Sequence, residues 1–217
     1  MNGPRWLYCH GFASGPRSTK GVKLAERFAA HGIAMERLDL RVPSLERLSF
    51  AAMKDVVIAA LGGAHDRAVV LGSSLGWLTA ARVAEADARV CALVLLAPAF
   101  RIAERWRGRM SDDEWRAWET SGFLEIRDYA EDRPARVHFD FIRELAAIDT
   151  GWPDVRVPTL IVHGRNDDTV DPQLSRDFAR GKSWVRLVEV DDGHELTQSL
   201  ARIGDEAENF LRGFVGS

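Results

Sequence analysis

The chain is poor in several residue types, and each shortage removes a class of protein from consideration. Two cysteines, Cys9 and Cys91, among 217 residues cannot build a disulfide scaffold or a cysteine-based zinc site. Both sit in apolar runs and read as small core residues. The six histidines include no HExxH sequence and no closely spaced pair of the metal-binding kind. Charge of either sign is nearly balanced, with 29 Lys+Arg against 32 Asp+Glu, which leaves -3. Nucleic-acid binders and polybasic membrane-surface proteins need a strongly basic face, so neither partner is expected. No apolar run approaches the roughly 20 residues of a membrane-spanning helix. The opening Met1-Asn2-Gly3-Pro4-Arg5 lacks the basic-then-apolar pattern of a secretory leader, and a cytoplasmic location is expected.

What is present suits one domain with a sizeable core: 46% of the residues are apolar. Short β-type runs alternate with helical patterns. Trp6 to Cys9, Ile33 to Leu40, Ala68 to Leu71, Val90 to Leu96, Val157 to Val162 and Trp184 to Val190 read as strands. Between them lie helical stripes. Phe50, Met53, Val57, Ala60 and Leu61 share one face, and Leu200, Ile203, Ala207, Phe210 and Leu211 share another. Asp171-Pro172 reads as a helix start by N-cap and N1 logic, and Gly32 and Gly181 read as helix stops. Strands that are apolar throughout, separated by helices, predict a parallel sheet covered on both faces. The expected fold class is therefore α/β, with about six parallel strands.

One segment breaks the alternation. Arg101 to Gly151 is charged and rich in aromatics, including Trp106, Trp115, Trp118, Phe123, Tyr129, Phe139 and Phe141. Ser111-Asp112-Asp113-Glu114 is a capping-box helix start, and a second short helix is expected from Val137 to Ala147. About fifty residues is long for a single crossover, so this is read as a small helical insertion, cap-like, lying over the strand ends.

The chemistry begins at Gly72-Ser73-Ser74-Leu75-Gly76, a G-x-S-x-G sequence. As a pattern alone it is weak. Its setting is specific, because it follows one predicted strand directly and precedes a helix, as a nucleophile elbow requires. A serine in so tight a turn needs neighbours without Cβ atoms. A serine hydroxyl also needs a base, and the base an orienting acid. Candidates stand at two later strand ends. These are His163-Gly164-Arg165-Asn166-Asp167-Asp168 and Asp191-Asp192-Gly193-His194. All lie at carboxyl ends of predicted parallel strands, where α/β sheets place their sites.

With His10-Gly11-Phe12, Gly72 to Gly76, His163-Gly164-x-x-Asp167-x-x-Val170 and Gly193-His194, the chain resembles the α/β-hydrolase superfamily. The stretch from Tyr8 to Pro16 and the elbow resemble small esterases of the YqiA type. Tyr129 and Val137 to Ile142 resemble the acyl-protein thioesterase branch of the abhydrolase proteins. The resemblance implies Ser74 as nucleophile, Asp167 as triad acid and His194 as general base. Asp168 is the alternative acid, while Asp191 and Asp192 read as turn residues before His194. It implies an oxyanion hole from the backbone N–H groups of Phe12 and Leu75, and loop-holding roles for His10 and His163. It also implies a minimal version of the fold without the family's first antiparallel hairpin.

The implied activity is two-step hydrolysis of esters or thioesters with short to medium acyl chains, carried by small molecules or an acylated protein. It calls for no metal and no organic cofactor. Trp77 stands where the resembling families usually have a second glycine. With Trp106, Trp115 and Trp118 it is a candidate to line the acyl pocket; the alternative is plain packing for each, beneath the insertion in the case of Trp77. A peptidase, a carbon–carbon hydrolase, or a non-catalytic binding protein on the same fold are the alternative readings.

Overall fold

The computed structural model describes residues 3–214. The elements run β1 (Arg5–Cys9), α1 (Thr19–Ala29), β2 (Met35–Leu38), α2 (Phe50–Ala60), β3 (Ala68–Ser73), α3 (Leu75–Ala86) and β4 (Val90–Leu96). After α4 (Ile102–Arg109), α5 (Asp112–Ser121), β5 (Phe123–Asp128), β6 (Arg133–His138) and α6 (Phe139–Ile148) come β7 (Thr159–Gly164), α7 (Gln173–Ala179), β8 (Val185–Val190) and α8 (Leu200–Leu211). Six strands form one sheet in the order β2-β1-β3-β4-β7-β8. Every pairing in it is parallel. The expected α/β class and strand number are therefore observed.

The all-apolar strands explain the layering. Alternate residues point to opposite faces, so both faces must be buried. Val69, Leu71, Val94, Leu96, Leu160 and Val162 pack with Leu24 and Phe28 of α1 and Ile203, Ala207 and Leu211 of α8. Their neighbours Val70, Leu93, Leu95 and Ile161 pack on the other side with α2, α3, α6 and α7. The two stripes read from the sequence supply these contacts: Phe50, Met53 and Val57 in α2, and Ile203, Ala207 and Leu211 in α8.

The segment between β4 and β7 is less helical than the sequence suggested. The capping box at Ser111 and Glu114 starts α5, and α6 lies close to its expected place. Between them, however, β5 and β6 form a two-stranded antiparallel hairpin. Its turn is closed by Asp128, which accepts from the N–H groups of Ala130 and Glu131 at 3.0 and 3.2 Å. The Tyr129 N–H donates to the Ala13 oxygen at 2.8 Å, so the hairpin tip is tied to the loop after β1.

Candidate active site

Because the sheet is parallel, the carboxyl ends of β1, β3, β7 and β8 meet at one edge. The loop after each supplies one part of the site. After β3, Ser74 takes φ 50 and ψ −117, a backbone conformation that costs a non-glycine residue on the order of 1–3 kcal/mol. The surroundings hold it there. The Ser74 N–H donates to the Leu96 oxygen at 2.9 Å, and its carbonyl accepts from the Trp77 N–H at 3.1 Å. The glycines on either side permit the close packing. A Cβ on Gly72 would come within 2.7 Å of the Gly76 oxygen, and one on Gly76 within 2.2 Å of the Cys9 oxygen.

Ser74 Oγ lies 3.0 Å from Nε2 of His194, and His194 Nδ1 lies 2.7 Å from Oδ2 of Asp167. A carboxylate can only accept, so Nδ1 carries the proton and donates. Nε2 is then the basic nitrogen and faces the serine hydroxyl. Asp167 is buried and fully engaged. Its Oδ1 accepts from the N–H groups of Thr169 and Val170, at 2.9 and 2.7 Å. Its Oδ2 also accepts from Nε2 of His163 at 3.0 Å. Burial alone would raise the carboxyl pKa. The hydrogen bonds from His163, His194 and Val170, with the charge of His194, overcome that and hold it well below the usual carboxylate range.

The other candidate acids stand elsewhere. Asp168 is exposed, and its carboxylate accepts from the Thr169 hydroxyl at 3.2 Å. Asp191 accepts from the Asn166 side chain at 2.7 Å. Asp192 accepts from the N–H groups of Gly193, Gln198 and Ser199, and so shapes the loop that carries His194.

After β1, the loop His10-Gly11-Phe12 crosses beside the elbow, with Gly11 against the Ser74 side chain. His10 is buried, and its Nε2 accepts from the Leu40 N–H at 3.0 Å. Nδ1 therefore holds the proton and donates to the Gly11 oxygen at 2.8 Å. Burial lowers the His10 pKa, in keeping with a neutral ring that ties the loop after β1 to the chain after β2. Among the described residues, the main-chain N–H groups of Phe12 and Leu75 have no backbone acceptor. Both residues line the cleft beside Ser74 and His194.

That cleft has a volume of about 740 Å³. Phe12, Ile102, Trp106 and Phe141 form its apolar wall. Phe12 meets Trp106 edge-on at 4.9 Å and stacks over Phe141 at 6.1 Å. Of the four candidate tryptophans, Trp106 alone lines it. Trp77 is fully buried beneath the elbow, against Phe100 at 4.2 Å and Phe178 at 5.9 Å. Trp118 fills the core of the α4–α6 segment, where its indole N–H donates to the Val137 oxygen at 3.2 Å. Trp115 packs on Trp118 and Phe139, behind the wall. A large aromatic here is drawn first to core packing, so for Trp77, Trp115 and Trp118 the packing alternative is the one the fold adopts.

His163 stands as the loop-holding residue that was expected, while the arginines of α4 escaped the sequence reading. His163 is fully buried between Asp167 and Ser175, its Nδ1 2.6 Å from the Ser175 hydroxyl. Arg105 and Arg109 of α4 also line the cleft. The signal for them was present: two arginines four residues apart fall on one helix face.

The family described as "Uncharacterised protein family (UPF0227)" matches residues 5–210 of the chain. Solved structures resemble it over nearly its whole length. Alpha/beta hydrolase domain-containing protein 10 from mouse gives a TM-score of 0.79 at 18% identity, covering 98% of this chain and 92% of that one. Est1E from Butyrivibrio proteoclasticus, solved with ferulic acid bound, gives a TM-score of 0.79 at 20% identity, covering 99% of this chain and 90% of its own. At such identities the likeness concerns the fold. No curated protein matches the sequence.

Proposed function

The chain belongs to the UPF0227 family and has the α/β-hydrolase fold, and on that premise we propose that it is a serine hydrolase of carboxylic esters or thioesters. The observation that carries this reading is the unbroken hydrogen-bonded line from Asp167 through His194 to Ser74, which ends in an open cleft. Each member has a chemical task. His194 takes the Ser74 proton through Nε2 as Oγ attacks the acyl carbon. Asp167, held ionised, fixes the Nδ1–H tautomer and stabilises the imidazolium that forms. The oxyanion falls to the N–H groups of Phe12 and Leu75, each such donor lowering the barrier by about 3 kcal/mol.

The imidazolium then gives its proton to the leaving alkoxide or thiolate as the carbonyl re-forms. Water adds to the acyl-enzyme by the same route and releases the acid, returning the proton to Ser74. The residues present complete this cycle with no metal or organic cofactor. Short to medium acyl chains suit the apolar wall of Phe12, Ile102, Trp106 and Phe141. In this reading residues 101–151 serve as a cap, because α4, the hairpin tip and α6 form one side of the cleft. The test is turnover of p-nitrophenyl acetate and butyrate. Ser74→Ala is expected to abolish it while the thermal melt stays nearly unchanged. Retention of most of the activity would refute the assignment of Ser74.

A further inference from the structure

The cations of the cleft are of two kinds. Arg17 pairs with Glu131 at 3.3 Å. Lys20 donates to the Glu195 main-chain oxygen at 2.9 Å, with the Glu195 carboxylate 3.8 Å away. Among the described residues, Arg105 and Arg109 have no such partner. Arg105 donates to the carbonyl oxygens of Phe100 and Thr169, at 3.1 and 2.8 Å. Arg109 donates to those of Asp168 and Thr169, at 2.8 and 2.9 Å. Both guanidiniums thus gather at the Asp168–Thr169 turn, directly after Asp167, and both line the cleft that holds Ser74 and His194.

Among the described residues, no carboxylate stands within ion-pair distance of either. The two carboxylates that reach Arg105 through space are already engaged: Asp167 as described above, and Asp149 with the Ile102 N–H at 2.7 Å. Each guanidinium keeps N–H groups that no acceptor among the described residues engages. Arg105 is half-buried, and desolvation followed by repulsion from Arg109 pulls its pKa down to about 10. Two like charges gathered at the same neutral carbonyls repel each other, and an anion seated beside both would offset that repulsion. Guanidiniums offer carboxylate and phosphate oxygens the planar, charge-assisted geometry they prefer.

We propose that Arg105 and Arg109 form an anion-binding subsite of the cleft, so that the natural substrate is an ester or thioester bearing a carboxylate or phosphate away from its scissile carbonyl. The word ester rests on the hydrolase reading above; the anion subsite does not.

Two matched substrate pairs separate the sources of the anion. Mono-p-nitrophenyl glutarate against p-nitrophenyl butyrate places a carboxylate at the far end of the acyl chain. Butyryl-coenzyme A against butyryl-N-acetylcysteamine places phosphates on the leaving group. At low ionic strength the anionic member of one pair is expected to exceed its neutral partner in kcat/KM by about tenfold or more. Added salt should shrink that ratio. Arg109→Gln should bring it towards one, and Arg109→Lys should keep part of it. Arg109 is exposed, so its variants should fold even if Arg105→Gln does not.

Binding gives a readout that needs no turnover. In Ser74→Ala protein, monomethyl glutarate or coenzyme A should raise the melting temperature where dimethyl glutarate does not, and Arg109→Gln should abolish the rise. Equal kcat/KM within both pairs, a ratio indifferent to Arg109→Gln, or equal thermal shifts with charged and neutral probes would each overturn the proposal. Ester turnover without anion preference would leave the hydrolase reading intact. Anion-dependent shifts without any ester turnover would remove that reading and leave the subsite.

Discussion

Replacing Asp167 by Asn changes one oxygen into a nitrogen, yet it should be among the most damaging substitutions in the chain. The carboxylate receives N–H groups on both oxygens: Thr169 and Val170 on Oδ1, His163 and His194 on Oδ2. An Asn amide has a single acceptor oxygen. If that oxygen stays with the two main-chain donors, the NH₂ group faces both imidazoles. His194 can accept from it only by moving its own proton to Nε2. That nitrogen then points an N–H at Ser74 and can no longer take the serine proton. A base locked in the wrong tautomer costs on the order of 10⁴ in kcat, or about 5.5 kcal/mol of barrier. In the flipped orientation the NH₂ opposes the main-chain N–H groups of Thr169 and Val170, the second of them buried, which costs about 1–3 kcal/mol of stability. Asp168→Asn loses only an exposed contact with the Thr169 hydroxyl and should stay close to wild type. Parallel kcat/KM measurements on p-nitrophenyl butyrate, with thermal melts, distinguish the two variants. An Asp167→Asn enzyme within tenfold of wild type, or an Asp168→Asn enzyme that is the more impaired, would refute the reasoning.

Gly76→Ala should fail to give folded protein, or melt far lower, because its Cβ meets the Cys9 main chain at 2.2 Å. Gly108→Ala in α4 meets nothing within 4 Å and should be stabilised by about 0.5–1 kcal/mol, read as a small rise in melting temperature. Asp149 is pushed up from 3.8 to about 6 by burial, more than the Ile102 N–H and the nearby arginines can offset. Its folded form therefore binds protons more tightly than the unfolded chain, and stability should fall as pH rises from about 4 to about 6. Asp149→Asn should flatten that slope in urea titrations; an unchanged slope would contradict the assignment. Asp167 has the opposite sign: its depressed pKa contributes stability that is present above about pH 4 and lost in acid. His163→Phe should lower both stability and activity, since it removes one donor from Asp167 and one partner from Ser175. Melts and kcat read this together, and an unaffected kcat would contradict it.

Periodicity carried most of the fold because both faces of the sheet are buried. In β3 and β4 every residue is apolar or small, and the Gly72 to Gly76 turn closes the first while Pro98 follows the second. The residues of the serine–histidine–aspartate line were legible for a related reason. Each ends a parallel strand, so chain position alone puts it at the correct edge. The hairpin was not legible. Its strands read FLEIRD and RPARVH, with charges and Pro134 where strand patterns are cleanest, because one side of the hairpin faces solvent. Trp77 could not be placed either. From sequence it was an indole near the nucleophile, while in the fold Phe100 and Phe178, distant in the chain, enclose it. The spacing of Arg105 and Arg109 puts them on one helix face, but only the tertiary path of the Asp168–Thr169 turn shows what that face meets.

Fluorophosphonate modification, located by mass mapping of the labelled peptide, tests the central claim most directly. A serine made nucleophilic by its neighbours should take up one equivalent of probe at Ser74, while Ser73, one residue earlier, stays unmodified. The adduct should vanish in His194→Ala protein that still melts cooperatively. Folded wild-type protein that shows no adduct at Ser74, or modification that does not depend on His194, would contradict the account.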